Sequence, residues 1–119
     1  MKLVIPSEGP NPTDSVDPRF GRAKFLILID TKTETHMALD NAAGVDAQQG
    51  AGVLAARKVV ELGADALLTG HCGPKAFDIL TAAGVKVHTA PTGSVAAALR
   101  AMWEGELPCL TVPNGLGRH

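Results

Sequence analysis

From Ala51 to Met102, short apolar runs alternate with stretches of helical period, and a glycine follows each helix. Ala51, Leu54, Ala55, Val59 and Leu62 share one helical face, with Arg57, Lys58 and Glu61 opposite and Gly63 as the stop. Ala66–Thr69 then reads as a strand. Pro74 suits a first helical position, Ala76, Ile79, Leu80 and Ala83 mark the buried face of a second helix, and Gly84 ends it. Val85–Thr89 is a further strand, and Val95, Ala98, Leu99 and Met102 give a third helix closed by Gly105. Strands alternating with helices in this way predict parallel strands joined by crossovers, with helices packed on the sheet.

The first half follows a different rule. Lys2–Pro6 is a continuous apolar run closed by proline, the pattern of a central strand buried on both faces. A polar loop from Ser7 to about Ala23 follows, and loops of that length inside a compact domain are usually functional or disordered. Lys24–Asp30 and Thr35–Leu39 read as a hairpin, the second member an edge strand, with Asp40–Val45 as a loop. Asp46 and Gln49 have capping-box spacing ahead of the first helix, although Gly50 and Gly52 each weaken its first turn by about 1 kcal/mol relative to alanine.

At 119 residues the chain is expected to hold one domain, residues 1–106, with residues 107–119 as a flexible tail. Apolar residues at 45% exclude intrinsic disorder. A net charge of −1 and aromatic content of 3% argue against nucleic acid, which requires a basic surplus or stacking platforms. The apolar run near the N-terminus is too short for a signal peptide, and no stretch reaches the ~18 apolar residues of a membrane span. The expectation is a cytoplasmic protein with its two cysteines reduced and no membrane contact.

Chemistry is expected beyond the carboxyl ends of the parallel strands. Two segments fall there. Gly70-His71-Cys72-Gly73-Pro74 places a thiol and an imidazole just before a helix N-terminus, whose partial positive charge favours thiolate and whose amides can face an anion. Cys72 and His71 are the candidate metal ligands; an ordinary turn with a half-buried thiol is the competing reading. Asp17-Pro18-Arg19-Phe20-Gly21-Arg22-Ala23 offers two guanidinium groups for anion recognition, or else a loop that Arg22 ties to Asp14 or Asp17 and Phe20 anchors in the core. His36, His88, Cys109 and His119 match no standard zinc spacing. The central strand carries no carboxylate, which argues against a magnesium-dependent nuclease, and there is no Walker A, no Rossmann fingerprint, no nucleophile elbow and no Cys-x-x-Cys.

The opening Lys-Leu-Val-Ile-Pro strand, Asp17–Ala23, Asp40-Asn41, Gln49-Gly50-Ala51-Gly52, Gly70-x-x-Gly73-Pro74-x-Ala76 and Ala83-Gly84-Val85-x-Val87 occur in that order. Together they resemble the dinitrogenase iron–molybdenum cofactor biosynthesis family, including its orange-protein branch, over residues 1–106. The resemblance implies an α/β, three-layer ribonuclease-H-like fold without nuclease activity, built on a mixed five-stranded sheet of order 3-2-1-4-5. It also implies a carrier or scaffold for an anionic metal–sulfur cluster, molybdenum with iron or copper, and protein partners in cluster delivery. Arg19, Phe20, Gly21, Arg22, Gln49, Gly50, Gly70, Gly73 and Pro74 would line the binding cleft, with Cys72 and His71 as ligands, and no catalysis is expected. Rival readings are a regulatory or interaction module for a phosphate-like anion or a protein partner, and an enzyme using Cys72 as nucleophile.

Overall fold

The computed structural model describes residues 1–46, 50–90 and 92–114. Five strands, β1 (Lys2–Ser7), β2 (Phe25–Asp30), β3 (Thr35–Asp40), β4 (Ala66–Thr69) and β5 (Lys86–Thr89), form one sheet of order β3-β2-β1-β4-β5. β1 pairs antiparallel with β2 and parallel with β4; β2–β3 is antiparallel and β4–β5 parallel. The hairpin half and the crossover half therefore meet at β1, as their connection rules require.

Period-two alternation decides which side chain meets which layer. On β1, Val4 faces one layer while Leu3 and Ile5 face the other. Helices α2 (Ala51–Glu61) and α3 (Pro74–Ala82) cover the Val4 side through Ala55, Ala56, Val59, Phe77 and Leu80. Helix α4 (Val95–Trp103) covers the opposite side through Val95 and Ala98, against Leu3, Ile5, Ile27 and Leu68. This is the expected three-layer α/β architecture.

Several local expectations are corrected. A short helix, α1 (Ala42–Asp46), occupies part of the stretch read as a loop, so Asp46 closes α1 instead of capping α2. The α2 N-cap is Gly50, whose φ of +76° is a left-handed conformation that glycine adopts without steric cost. Gln49, the other half of the expected capping box and a candidate site residue, lies outside the described residues. Leu54 is exposed, because the α2 contact surface is made by alanines that let the helix approach the sheet and α3 closely.

Residues 107–114, expected as a tail beyond the domain, are hydrogen-bonded onto it. The Thr89 amide donates to Pro108 O (2.9 Å) and the Leu110 amide to Val87 O (2.7 Å), an antiparallel addition to the β5 edge. Leu107 is buried in the α4 layer, and Leu110 packs against the α2–α3 layer.

Candidate functional site

β1 and β4 run parallel, so their carboxyl ends deliver Ser7 and Thr69 to the same rim of the sheet. The loop after β1 returns along that rim. The Val16 residue bridges Ser7, the Asp17 amide donates to Pro6 O (2.9 Å), and the Phe20–Arg22 segment makes one 3-10 turn. Arg19 bridges His71, whose amide donates to Pro18 O (3.2 Å). The two segments singled out from the sequence are thus neighbours through their backbones.

Glycines permit this approach. A Cβ on Gly21 would stand 2.5 Å from the Gly52 nitrogen and 2.6 Å from the Ala51 carbonyl carbon. A Cβ on Gly70 would stand 3.0 Å from the Pro18 Cα. Gly21 therefore acts by packing the loop on the first turn of α2. Gly52 in turn faces the Ala76 side chain, which sets the N-terminal turns of α2 and α3 side by side.

Those two N-termini share a further property. Neither Gly50 nor Gly73, their N-caps, has a side chain that could accept from the first-turn amides, and the first intrahelical bonds are Leu54 N to Gly50 O and Phe77 N to Gly73 O. Amides ahead of those bonds have no acceptor within their own helix. Pro74, at the first position of α3, carries no amide hydrogen to satisfy.

The charged residues divide. Arg19 has a side chain 70% exposed, held through its Nε by Asp17 Oδ1 at 3.3 Å, while Asp17 is buried and also accepts from the Arg19 amide at 2.9 Å. The hydrogen bond and charge of Asp17 raise the Arg19 pKa. Arg22 instead directs Nη1 to the carbonyls of Gly44 (3.4 Å) and Val45 (3.2 Å), tying the loop to α1. In the alternative reading of the loop Arg22 pairs with Asp14 or Asp17; the ion pair formed is Arg19 with Asp17. Phe20 is 3% exposed and anchors the loop in the α2–α3 core. It serves the site by fixing its neighbours, not by facing a ligand.

Cys72 departs most from expectation. It is 1% exposed, packed in the core with Phe20, Ala76 and Phe77, and burial pushes its thiol up to about 11. Desolvation outweighs the helix-end charge that was expected to favour thiolate. His71 is exposed on the rim. Among the described residues, no group of three or more His, Cys, Asp or Glu side chains is arranged to hold a metal ion. His36, His88 and Cys109 do not join the site: His36 lies on the β3 edge, while His88 and Cys109 bridge across the β5 edge.

Asn114 was missed by the sequence reading. Its Oδ1 accepts from the Cys72 amide (2.9 Å) and its Nδ2 donates to Gly70 O (3.0 Å). A lone Asn between Pro113 and Gly115 reads only as a turn residue. Asn41 is a second support, donating to Ala23 O (2.8 Å) and Gly21 O (3.3 Å). A groove of about 490 Å³ lies elsewhere, between α4 and the β2–β3 hairpin, lined by Ile29, His36, Leu99 and Trp103, and shares no residue with the rim.

Fold and rim together define a single-sheet α/β protein that presents backbone amides and a guanidinium at the carboxyl ends of its parallel strands. A family model described as dinitrogenase iron-molybdenum cofactor matches residues 1–105. The chain belongs to that family. Among solved structures, the apo orange protein of Desulfovibrio gigas superposes with a TM-score of 0.91 at 38% identity, covering 96% of each chain. A protein from Thermotoga assigned provisionally to NifB superposes with a TM-score of 0.84 at 33% identity, covering 98% of each chain. An uncharacterized protein of Methanocaldococcus jannaschii is 24% identical over 110 residues, 90% of this chain and 89% of its own length. No described helix is long and apolar enough to cross a membrane.

Proposed function

We propose that this protein is a non-catalytic carrier of an anionic metal–sulfur cluster, containing molybdenum with iron or copper, held at the rim formed by Arg19–Arg22, Gly50–Gly52 and Gly70–Pro74. One observation carries the reading: two adjacent helices, α2 and α3, both begin on glycine caps whose first-turn amides have no side-chain acceptor at the cap. Paired helix N-termini favour a negatively charged guest, and their amides donate to sulfide or oxide atoms. Arg19 adds a planar cation at the same rim. Family membership ties such an anion to metal–sulfur chemistry.

The hold is electrostatic and hydrogen-bonded. The buried, protonated Cys72 supplies packing, and an anion retained without firm thiolate bonds can be passed to a recipient protein. The test is anaerobic reconstitution with iron plus sulfide and, separately, with tetrathiomolybdate plus copper(I), followed by desalting, visible absorption and metal analysis. Retained colour with stoichiometric metal in one of the two is expected, reduced by Arg19→Glu and unchanged by Cys72→Ala. Loss of all colour and metal from the wild type defeats the carrier reading. Inorganic phosphate raising the melting temperature while both reconstitutions fail would replace it with the phosphate-binding alternative.

A further inference from the structure

The segment after α4 does more than cover the β5 edge. His88 Nδ1 lies 3.1 Å from Leu107 O, Leu110 inserts beside the α2–α3 core, and the chain then crosses to the rim, where Asn114 meets the Gly70–Cys72 turn. The Asn114 carboxamide reproduces with one side chain the donor–acceptor pair that a neighbouring strand would offer: one acceptor for the Cys72 amide, one donor for the Gly70 carbonyl. That turn lies between the end of β4 and the Gly73 cap of α3, so its conformation sets where the α3 amides point.

We propose that residues 107–114 form a latch on the rim and that Asn114 is its catch, a positioning residue that holds the Gly70–Cys72 turn closed over Cys72 and keeps the α3 cap aimed at the cargo site. With the catch seated, the Cys72 amide is occupied and the thiol stays under the turn. With it unseated, the turn loses the two tethers from Asn114 and keeps only the longer Thr69 Oγ1 bond to His71 O (3.4 Å) as a side-chain tie, Cys72 becomes reachable, and the cap amides lose their fixed direction. Closure of the turn stands by itself; its effect on cargo rests on the carrier reading above.

Cys72 reports the latch directly. In a Cys109→Ser background it is the chain's only thiol. Its alkylation by iodoacetamide is expected to accelerate roughly tenfold or more in Asn114→Ala, through local opening. Asn114→Asp, which keeps an acceptor for the Cys72 amide and loses the donor to Gly70, is expected to fall between. Leu99→Ala, on the opposite layer, serves as the control of comparable overall destabilisation. An Asn114→Ala rate within twofold of the parent overturns the latch. So does an equal acceleration in Leu99→Ala at matched melting temperature, because the thiol would then be reached through global unfolding. In protein that retains colour after reconstitution, Asn114→Ala is expected to lose it several-fold faster than the parent; equal loss rates would sever the latch from the cargo. Absence of colour in every variant would count against the carrier reading alone, since the alkylation result does not depend on it.

Discussion

Helix α4 and the pair α2–α3 begin in opposite ways. α4 starts at Ser94, whose Oγ accepts from the Ala97 amide at 3.0 Å, so the helix satisfies part of its own N-terminal demand. α2 and α3 start at Gly50 and Gly73, which have no such oxygen. The self-capped helix packs on the opposite sheet face, and its remaining first-turn amides are taken up by the loop after β1: the Val95 amide donates to Asp14 O (2.9 Å) and the Ala96 amide to Pro12 O (2.8 Å). The two helices without side-chain caps stand together where the loop after β1 and the turn after β4 converge. A helix capped by its own side chain contributes stability; one capped by glycine has no cap side chain to accept from its first-turn amides, and this fold places two of that kind side by side.

Substitutions can break that comparison. The largest effect is expected at Gly21, where a methyl group would collide with the α2 backbone: Gly21→Ala should destabilise the fold by about 1–3 kcal/mol in urea unfolding and abolish cluster retention together. A smaller and purely structural loss, about 1 kcal/mol, is expected for Ser94→Ala, with retention unchanged. Gly73 has φ −71° and ψ 166°, open to any residue, so Gly73→Asp can supply the missing cap. It should stabilise α3 by a few tenths of a kcal/mol while weakening retention, because the new carboxylate competes for the same amides. Opposite signs of those two effects separate an anion site from a mere helix start.

The buried thiol sharpens the comparison through pH. Folding holds the Cys72 proton up to about pH 11, whereas the unfolded chain gives it up near its ordinary value of 9.0. The folded state therefore binds more protons between those values, and stability falls as pH rises from about 9 to 11. Cys72→Ala should lack that component of the decline, read as the difference in urea midpoint between the two proteins across the window.

Element types and the helix stops were legible because each rests on a local period or a single residue type, whereas the full sheet order came from the family resemblance. Gly63, Gly84 and Gly105 all adopt the left-handed conformation in which they close their helices. The placement of Arg19–Arg22 beside Gly70–Pro74 was legible from topology alone. What one-dimensional reading left out depends on contacts distant along the chain. Cys72 precedes a helix N-terminus, which locally favours thiolate, but it is buried in the same core cluster as Phe20 and Phe77 and desolvation prevails. Arg22 and Arg19 have equal local credentials, and only the position of α1 assigns the first to carbonyls and leaves the second exposed. Asn114 acts across 42 residues on the Cys72 amide, a partnership no spacing rule announces.

The account is tested most directly by following backbone amide resonances of isotopically labelled protein as the anaerobically prepared molybdenum–copper sulfide cluster is added. Shifts confined to Arg19–Arg22, Gly50–Gly52 and the residues from Gly70 to Ala76, with Ser94–Ala97 of α4 unmoved, are the predicted result. Shifts centred on α4, or none at all while the cluster stays in solution, would contradict it.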